Sequence, residues 1–219
     1  MKKIIITLCL AALACTAASA QNHFANYARY KEANAKVTKT PKAVFLGDSI
    51  TDGWYRDDPE FFNSHNFLGR GISGQVTGQM LLRMRDDVIA HKPKYLVFLG
   101  GVNDVAENQG PMEVEDTYNN IVSIIELAKA NKIKPILCLC IPATRIPWRS
   151  QVENPLAKIQ KLNAMLTDYA KSHKVTLVEY FPDVDLTVEG LPKSLSGDSI
   201  HPNLKAYKEM EQQILKYIK

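Results

Sequence analysis

The sequence predicts an α/β protein: a three-layer α/β/α sandwich on a five-stranded parallel sheet. Five short apolar runs, at 42–47, 66–69, 95–99, 133–141 and 175–180, alternate with stretches whose apolar residues recur at helical spacing. The runs are mostly continuous in apolar character, the pattern of strands covered on both faces. No linker, internal repeat or low-complexity segment divides them, and 219 residues suit one domain with a sizeable core.

Met1-Lys2-Lys3, the apolar stretch Ile4 to Ala14 and Ala18-Ser19-Ala20 read as a basic start, a hydrophobic core and a cleavage site, so residues 1–20 are expected to be a signal peptide. Its apolar stretch is too short to span a bilayer, which needs ~20 residues. The mature domain is then 21–219, exported to a periplasm or the exterior. Cys15, after Leu13-Ala14, allows an alternative in which a lipid on that cysteine anchors the chain. Ala12 is a poor start for such a motif.

Residues 23–37 set Phe24, Tyr27, Ala28 and Tyr30 at helical spacing, an amphipathic helix lying on the domain. Thr40-Pro41 leads into the first strand, which stops at Gly47-Asp48-Ser49. A helix over about 54–63 is interrupted by Pro59. The second strand, Asn66-Phe67-Leu68-Gly69, runs into Arg70-Gly71-Ile72-Ser73-Gly74. A helix over 77–90 carries Met80, Leu81, Met84, Val88 and Ile89, with Pro93 beyond its end. The third strand, Tyr95 to Leu99, ends in Gly100-Gly101-Val102-Asn103-Asp104, and Glu113 to Ala130 follows as a helix. The fourth strand, Ile133 to Ile141, gives way to a loop bounded by Pro142 and Pro155. Leu156 to Lys171 is helical, Val175 to Tyr180 the fifth strand, and Asn203 to Ile218 the closing helix. Cys138 and Cys140, two apart, are expected on one face of the fourth strand as buried small hydrophobes, because that spacing is at or past the limit for a disulfide.

The formal charge is +4, falling to +2 without Lys2 and Lys3, which argues against a nucleic-acid or anionic-membrane partner. Right-handed crossovers bring every strand-to-helix turn to one sheet edge, where open α/β sheets hold their ligands. That edge gathers Ser49, Gly71, Asn103 and the late loop Ser196-Gly197-Asp198-Ser199-Ile200-His201. A serine hydroxyl becomes nucleophilic once an imidazole takes its proton, and His201 can serve. Asp198, three residues earlier, can turn back to the imidazole Nδ1 and fix its tautomer. The N–H groups of Ser49 and Gly71 and the amide of Asn103 are candidate oxyanion donors. Gly-Asp-Ser-Ile occurs twice, at 47–50 and 197–200; the second follows no strand, so Ser199 reads as a loop residue. His23, His65, His91 and His173 have no acid partner in these turns and read as structural or solvated.

In this combination the chain resembles the SGNH hydrolases, also called the GDSL esterase/lipase family: Gly47-Asp48-Ser49-Ile50, Gly71 within GRGISG, Gly101-Val102-Asn103-Asp104 and Asp198-Ser199-Ile200-His201-Pro202 match its four blocks. The resemblance implies a flavodoxin-like sandwich and a serine ester hydrolase with Ser49 as nucleophile, His201 as base and Asp198 as acid. It also implies oxyanion donors at Ser49, Gly71 and Asn103 and no metal or other cofactor. Trp54, Tyr55, Arg56, Arg145 and Trp148 are read as loop residues on this edge, and Trp54, Arg145 and Trp148 are candidate substrate contacts. Aromatic rings there suit a sugar or a small acyl group. No long apolar lid is present, so small acyl esters, acetyl on carbohydrate above all, are the expected substrates. Lysophospholipid or thioester cleavage and a non-catalytic carbohydrate-binding protein are the alternatives. A phosphate-binding reading lacks the P-loop lysine and the Gly-x-Gly-x-x-Gly fingerprint.

Overall fold

The structure is a computed structural model that describes residues 24–219. The expected signal peptide and Cys15 lie outside the described residues.

Five strands pair in parallel in the order β2-β1-β3-β4-β5: β1 (Ala43–Gly47), β2 (Phe67–Gly71), β3 (Tyr95–Leu99), β4 (Lys134–Cys138) and β5 (Thr176–Val178). Helices are α1 (Ala28–Ala35), α2 (Ser49–Asp57), α3 (Pro59–Ser64), α4 (Thr77–Asp87), α5 (Val102–Val105), α6 (Val114–Ala130), α7 (Pro155–His173) and α8 (Leu204–Ile214), with a 3-10 turn at Ile89–His91. The alternation of the strands divides the core in two. Val44, Leu46, Leu96 and Phe98 pack under α4, α6 and α7, whereas Ala43, Phe45, Tyr95, Val97 and Leu99 pack under α2, α3 and α8. Side chains of successive strand residues point to opposite faces, so a wholly apolar run fills both layers at once.

Register places the active edge. Gly47 stands level with both Gly71 and Leu99, so β1, β2 and β3 end together. A buried cation ties two of these ends: Arg83 of α4 donates from Nη2 to the carbonyls of Arg70 (3.0 Å) and Gly47 (3.3 Å), from Nε to Gln75 (2.7 Å) and from Nη1 to Asp87 (2.5 Å). With all three nitrogens bonded and the Asp87 carboxylate as counter-charge, its burial does not strand a charge. The outer edge of β2 is covered by α1, where the Tyr30 hydroxyl donates to the Gly71 carbonyl and Arg70 donates to Asn34.

Helix limits follow local chemistry. What spacing suggested as one helix over 54–63 is two, each started by an aspartate whose Oδ1 accepts a backbone N–H: Asp48 from Ile50 (3.0 Å) and Asp58 from Phe61 (3.2 Å). Pro59 opens α3 at the first-turn position where its missing N–H costs nothing. The fourth strand stops at Cys138, short of Ile141. Cys138 and Cys140 consequently face opposite layers rather than one, because alternation ends with the strand. Both thiols are free and buried; the Cys140 Sγ donates to the Gly100 carbonyl.

Gly71 is fixed by crowding. A Cβ there would lie 2.1 Å from the Asp52 nitrogen and 2.6 Å from the Thr51 carbonyl carbon, both backbone atoms of α2. Gly71→Ala is therefore expected to cost on the order of 3 kcal/mol, the upper part of the overpacking range, because a helix and not a side chain must move. Urea unfolding measures it, and a loss below about 1 kcal/mol would contradict this packing.

Candidate active site

Ser49 is the first residue of α2, where the β1 chain turns from strand to helix, and its backbone N–H is one of the donors a helix start leaves outside the ladder. Its Oγ lies 2.9 Å from His201 Nε2. His201 Nδ1 lies 2.6 Å from Asp198 Oδ2. The other carboxylate oxygen, Oδ1, accepts from the backbone N–H groups of Ile200 (3.0 Å) and His201 (2.8 Å) and from Ser196 Oγ (3.1 Å). This Asx-type turn is what folds Asp-x-x-His back on itself. Partial burial works against the Asp198 charge, but the His201 and Ile200 donors outweigh it and hold the carboxyl at about 2. Ser199 sits in the same turn with φ 72°, its carbonyl accepting from Leu191 N–H, and does not line the cavity around Ser49.

That cavity, about 430 Å³, is lined by Ser49, His201, Asn103, Gly74, Asn108 and Trp148, among others. Asn103, in the short α5 after β3, is buried. Its Nδ2 donates to the Gln75 carbonyl (3.0 Å), and its Oδ1 accepts from Asn108 Nδ2 (2.9 Å). One Nδ2 hydrogen is thus committed and the second is available to a ligand. Asn108 also donates to the Gly74 carbonyl (3.2 Å) and accepts from Trp148 Nε1 (3.0 Å). The Trp148 ring lies 5.6 Å from the His201 ring.

Three sequence expectations are corrected. Gly71 does not line the cavity: its carbonyl faces Tyr30 and its Cα is pressed against α2. Gly74, three residues on, does line it, with φ +80° in a turn and open space around its Cα. The GRGISG stretch carried both glycines, and only the approach of α2 distinguishes the packed one from the open one. Trp54 is no rim residue. Because α2 begins at Ser49, Trp54 falls on the inner face of the helix, 1% exposed, stacked between Phe61 and Tyr207. Arg145 lines a different cavity, with Pro147 and Val152; burial of the adjacent Ile146 turns it outward, while Arg56 lines the Ser49 cavity. Trp148, by contrast, stands at the Ser49 cavity as expected.

Two buried carboxyls lie behind the site. Burial pushes Asp48 up to about 6, against the Ile50 N–H and the nearby His201, and its Oδ2 meets no partner among the described residues. Burial likewise pushes Asp104 up to about 7, against two bonds from Thr77. Both values exceed the ~3.9 of an unfolded chain, so the folded state binds these protons more tightly. The associated stability is full below about pH 4 and lost as pH rises through 6 and 7. Asp198, shifted the other way, acts only below about pH 4. Asp48→Asn is therefore expected to flatten the fall in stability between about pH 4 and 7 by on the order of 2 kcal/mol. Unfolding curves across that range measure it, and a profile parallel to wild type would refute it.

Histidines 65 and 173 bond to helix carbonyls one turn back, and His91 bonds Asn34; none reaches the cavity. Among the described residues no cluster of His, Cys, Asp and Glu is placed to hold a metal ion, and no helix is long and apolar enough to cross a membrane.

Residues 45–209 match the GDSL-like Lipase/Acylhydrolase family. A GDSL-like lipase from Bacteroides thetaiotaomicron is 42% identical in a solved structure, with a TM-score of 0.85 over 90% of this chain and 98% of that one. The uncharacterized lipoprotein YqeF of Bacillus subtilis is 38% identical over 116 residues, 45% of this chain and about half (48%) of that protein. An acetylxylan esterase of Geobacillus stearothermophilus is 23% identical over 213 residues, 84% of this chain and 96% of its own length. A family match running from the middle of β1 into α8, on a sheet of the same architecture, places this chain in the GDSL-like lipase/acylhydrolase family of carboxylic ester hydrolases.

Proposed function

We propose that the chain is an exported acylhydrolase that removes small acyl groups, acetyl above all, from carbohydrate through an acyl-enzyme on Ser49. The unbroken hydrogen-bond path from Ser49 Oγ through His201 to Asp198 carries this reading. Ser49 Oγ attacks the ester carbonyl carbon while His201 Nε2 takes its proton, and Asp198 stabilises the resulting imidazolium. The tetrahedral oxyanion is held by Asn103 Nδ2 and the N–H groups of Ser49 and Gly74, the last in place of Gly71. Collapse breaks the bond to the alkoxy oxygen, which leaves with the proton from His201. Water then repeats the sequence on the acyl-enzyme, frees the acid and restores Ser49.

Asn103→Ala is expected to lower kcat on the order of 10²–10³ with little change in KM, as for loss of one oxyanion donor. A loss below about tenfold would remove Asn103 from that role.

Small acyl groups are favoured because the cavity around Ser49, about 430 Å³, is lined by no aliphatic side chain other than Pro202 to take up a long chain. The relation to an acetylxylan esterase supports carbohydrate as the alcohol. Turnover of p-nitrophenyl acetate, butyrate and octanoate, with and without a serine-directed phosphonate, tests the proposal. Phosphonate-sensitive turnover falling with chain length is expected, and a preference for octanoate would overturn the small-acyl assignment. Export rests on the leader-like residues 1–20, and amino-terminal sequencing of the exported protein should begin at Gln21.

A further inference from the structure

A second cavity, about 530 Å³, adjoins the one around Ser49 and shares with it the walls Ser73, Gly74, Asn108 and Trp148. We infer that it is a subsite for a pyranose ring of an oligosaccharide, adjacent to the sugar whose acyl group is removed; this rests on Ser49 being the esterolytic nucleophile.

Two aromatic side chains bound the cavity and leave much of their surface uncovered: Phe24 is 49% and Trp148 40% exposed. Rings in that state offer an apolar face to the C–H side of a sugar while the rim stays wet. Both are held in place. Gln79 Nε2 donates to the Phe24 carbonyl (2.5 Å) and Gln75 Nε2 to the Ala25 carbonyl (2.9 Å), so side chains from α4 and the turn before it fix the segment that carries Phe24. Trp148 is fixed through its indole N–H on Asn108.

Apart from Ile72, Ser73 and Gly74, the rest of the lining is amide and guanidinium. Gln109 and Arg149 reach the cavity, and among the described residues neither side chain is engaged by another group. An acyl chain lodged here would take these groups out of water without partners, which costs free energy, whereas sugar hydroxyls donate to and accept from them. No acidic side chain lines the cavity. Contact with the distant sugar also reaches the reaction centre by a short route, because Asn108 touches both Trp148 and the oxyanion amide of Asn103.

Two measurements test the subsite. In the first, kcat/KM is compared for acetylated methyl xyloside and acetylated xylobiose. The disaccharide ester is expected to be better by about tenfold, a 1.4 kcal/mol advantage carried mainly by KM. Phe24→Ala and Arg149→Ala, each checked for native circular dichroism, should reduce the advantage to about threefold or less. Equal values in the wild type, or an advantage untouched by both variants, would overturn the inference. In the second, unacetylated xylotriose at about 10 mM, enough to fill a millimolar site, should shift the indole N–H resonance of Trp148 and leave that of buried Trp54 in place. No shift would overturn the subsite. A shift without any turnover of p-nitrophenyl acetate would leave the subsite standing and remove the hydrolytic role of Ser49 instead.

Discussion

Ser49→Ala is expected to lower ester turnover by on the order of 10⁴–10⁶, the size of effect seen when a serine nucleophile is removed from a triad that acts as a unit. Among the described residues the Ser49 hydroxyl is the one group bonded to His201 Nε2, at 2.9 Å, and alanine leaves the backbone N–H in place. The matched control is Ser199→Ala. It alters the second Gly-Asp-Ser-Ile, whose serine lies in the turn beneath Gly190 and away from the cavity. Steady-state rates with p-nitrophenyl acetate should separate the two by at least about a thousandfold. If Ser199→Ala were the damaging change, the nucleophile would have been assigned to the wrong copy of the motif.

Asp198→Asn is expected to reduce kcat on the order of 10⁴ while the protein stays folded. The side-chain oxygen retained by asparagine can still accept from the Ile200 and His201 N–H groups, so the turn survives. The new amide nitrogen, however, faces His201 Nδ1, at the position where a carboxylate oxygen now sits 2.6 Å away. As a donor it selects the tautomer with the proton on Nε2, and that nitrogen can no longer take the proton of Ser49. Loss of kcat with near-normal KM and unchanged unfolding is the signature. A loss below about tenfold would show that the imidazole is oriented by something other than Asp198.

Much of the fold can be read from the chain because its strands are buried on both faces. Tyr95–Leu99, five apolar residues between Pro93 and Gly100, is recovered residue for residue. The fourth strand is overread by several residues, since its apolar run continues to Ile141 while pairing with β5 ends at Cys138. Pattern reports burial, and only the partner strand sets length. At the candidate site, the convergence of Ser49, Asp198 and His201 is legible because a strand end and an Asp-x-x-His turn are local features. Which glycine opens to the cavity is not, because Gly71 ends β2 three residues before the turn at Gly74 and a helix from elsewhere in the sequence decides which is open. Trp54 misled for a related reason. The expected helix begins only at about residue 54, whereas Asp48 caps one that starts at Ser49 and carries the indole into the core.

The Arg83 guanidinium, lodged between the ends of β1 and β2, has a consequence for how the enzyme fails. It grips the carbonyl one residue before Asp48 and the carbonyl of Arg70 with the same group. The platform under Ser49 is therefore tied to the sheet and is expected to melt with it. Heat inactivation should accordingly track loss of the whole sheet, so that residual esterase activity reports the fraction of molecules still folded.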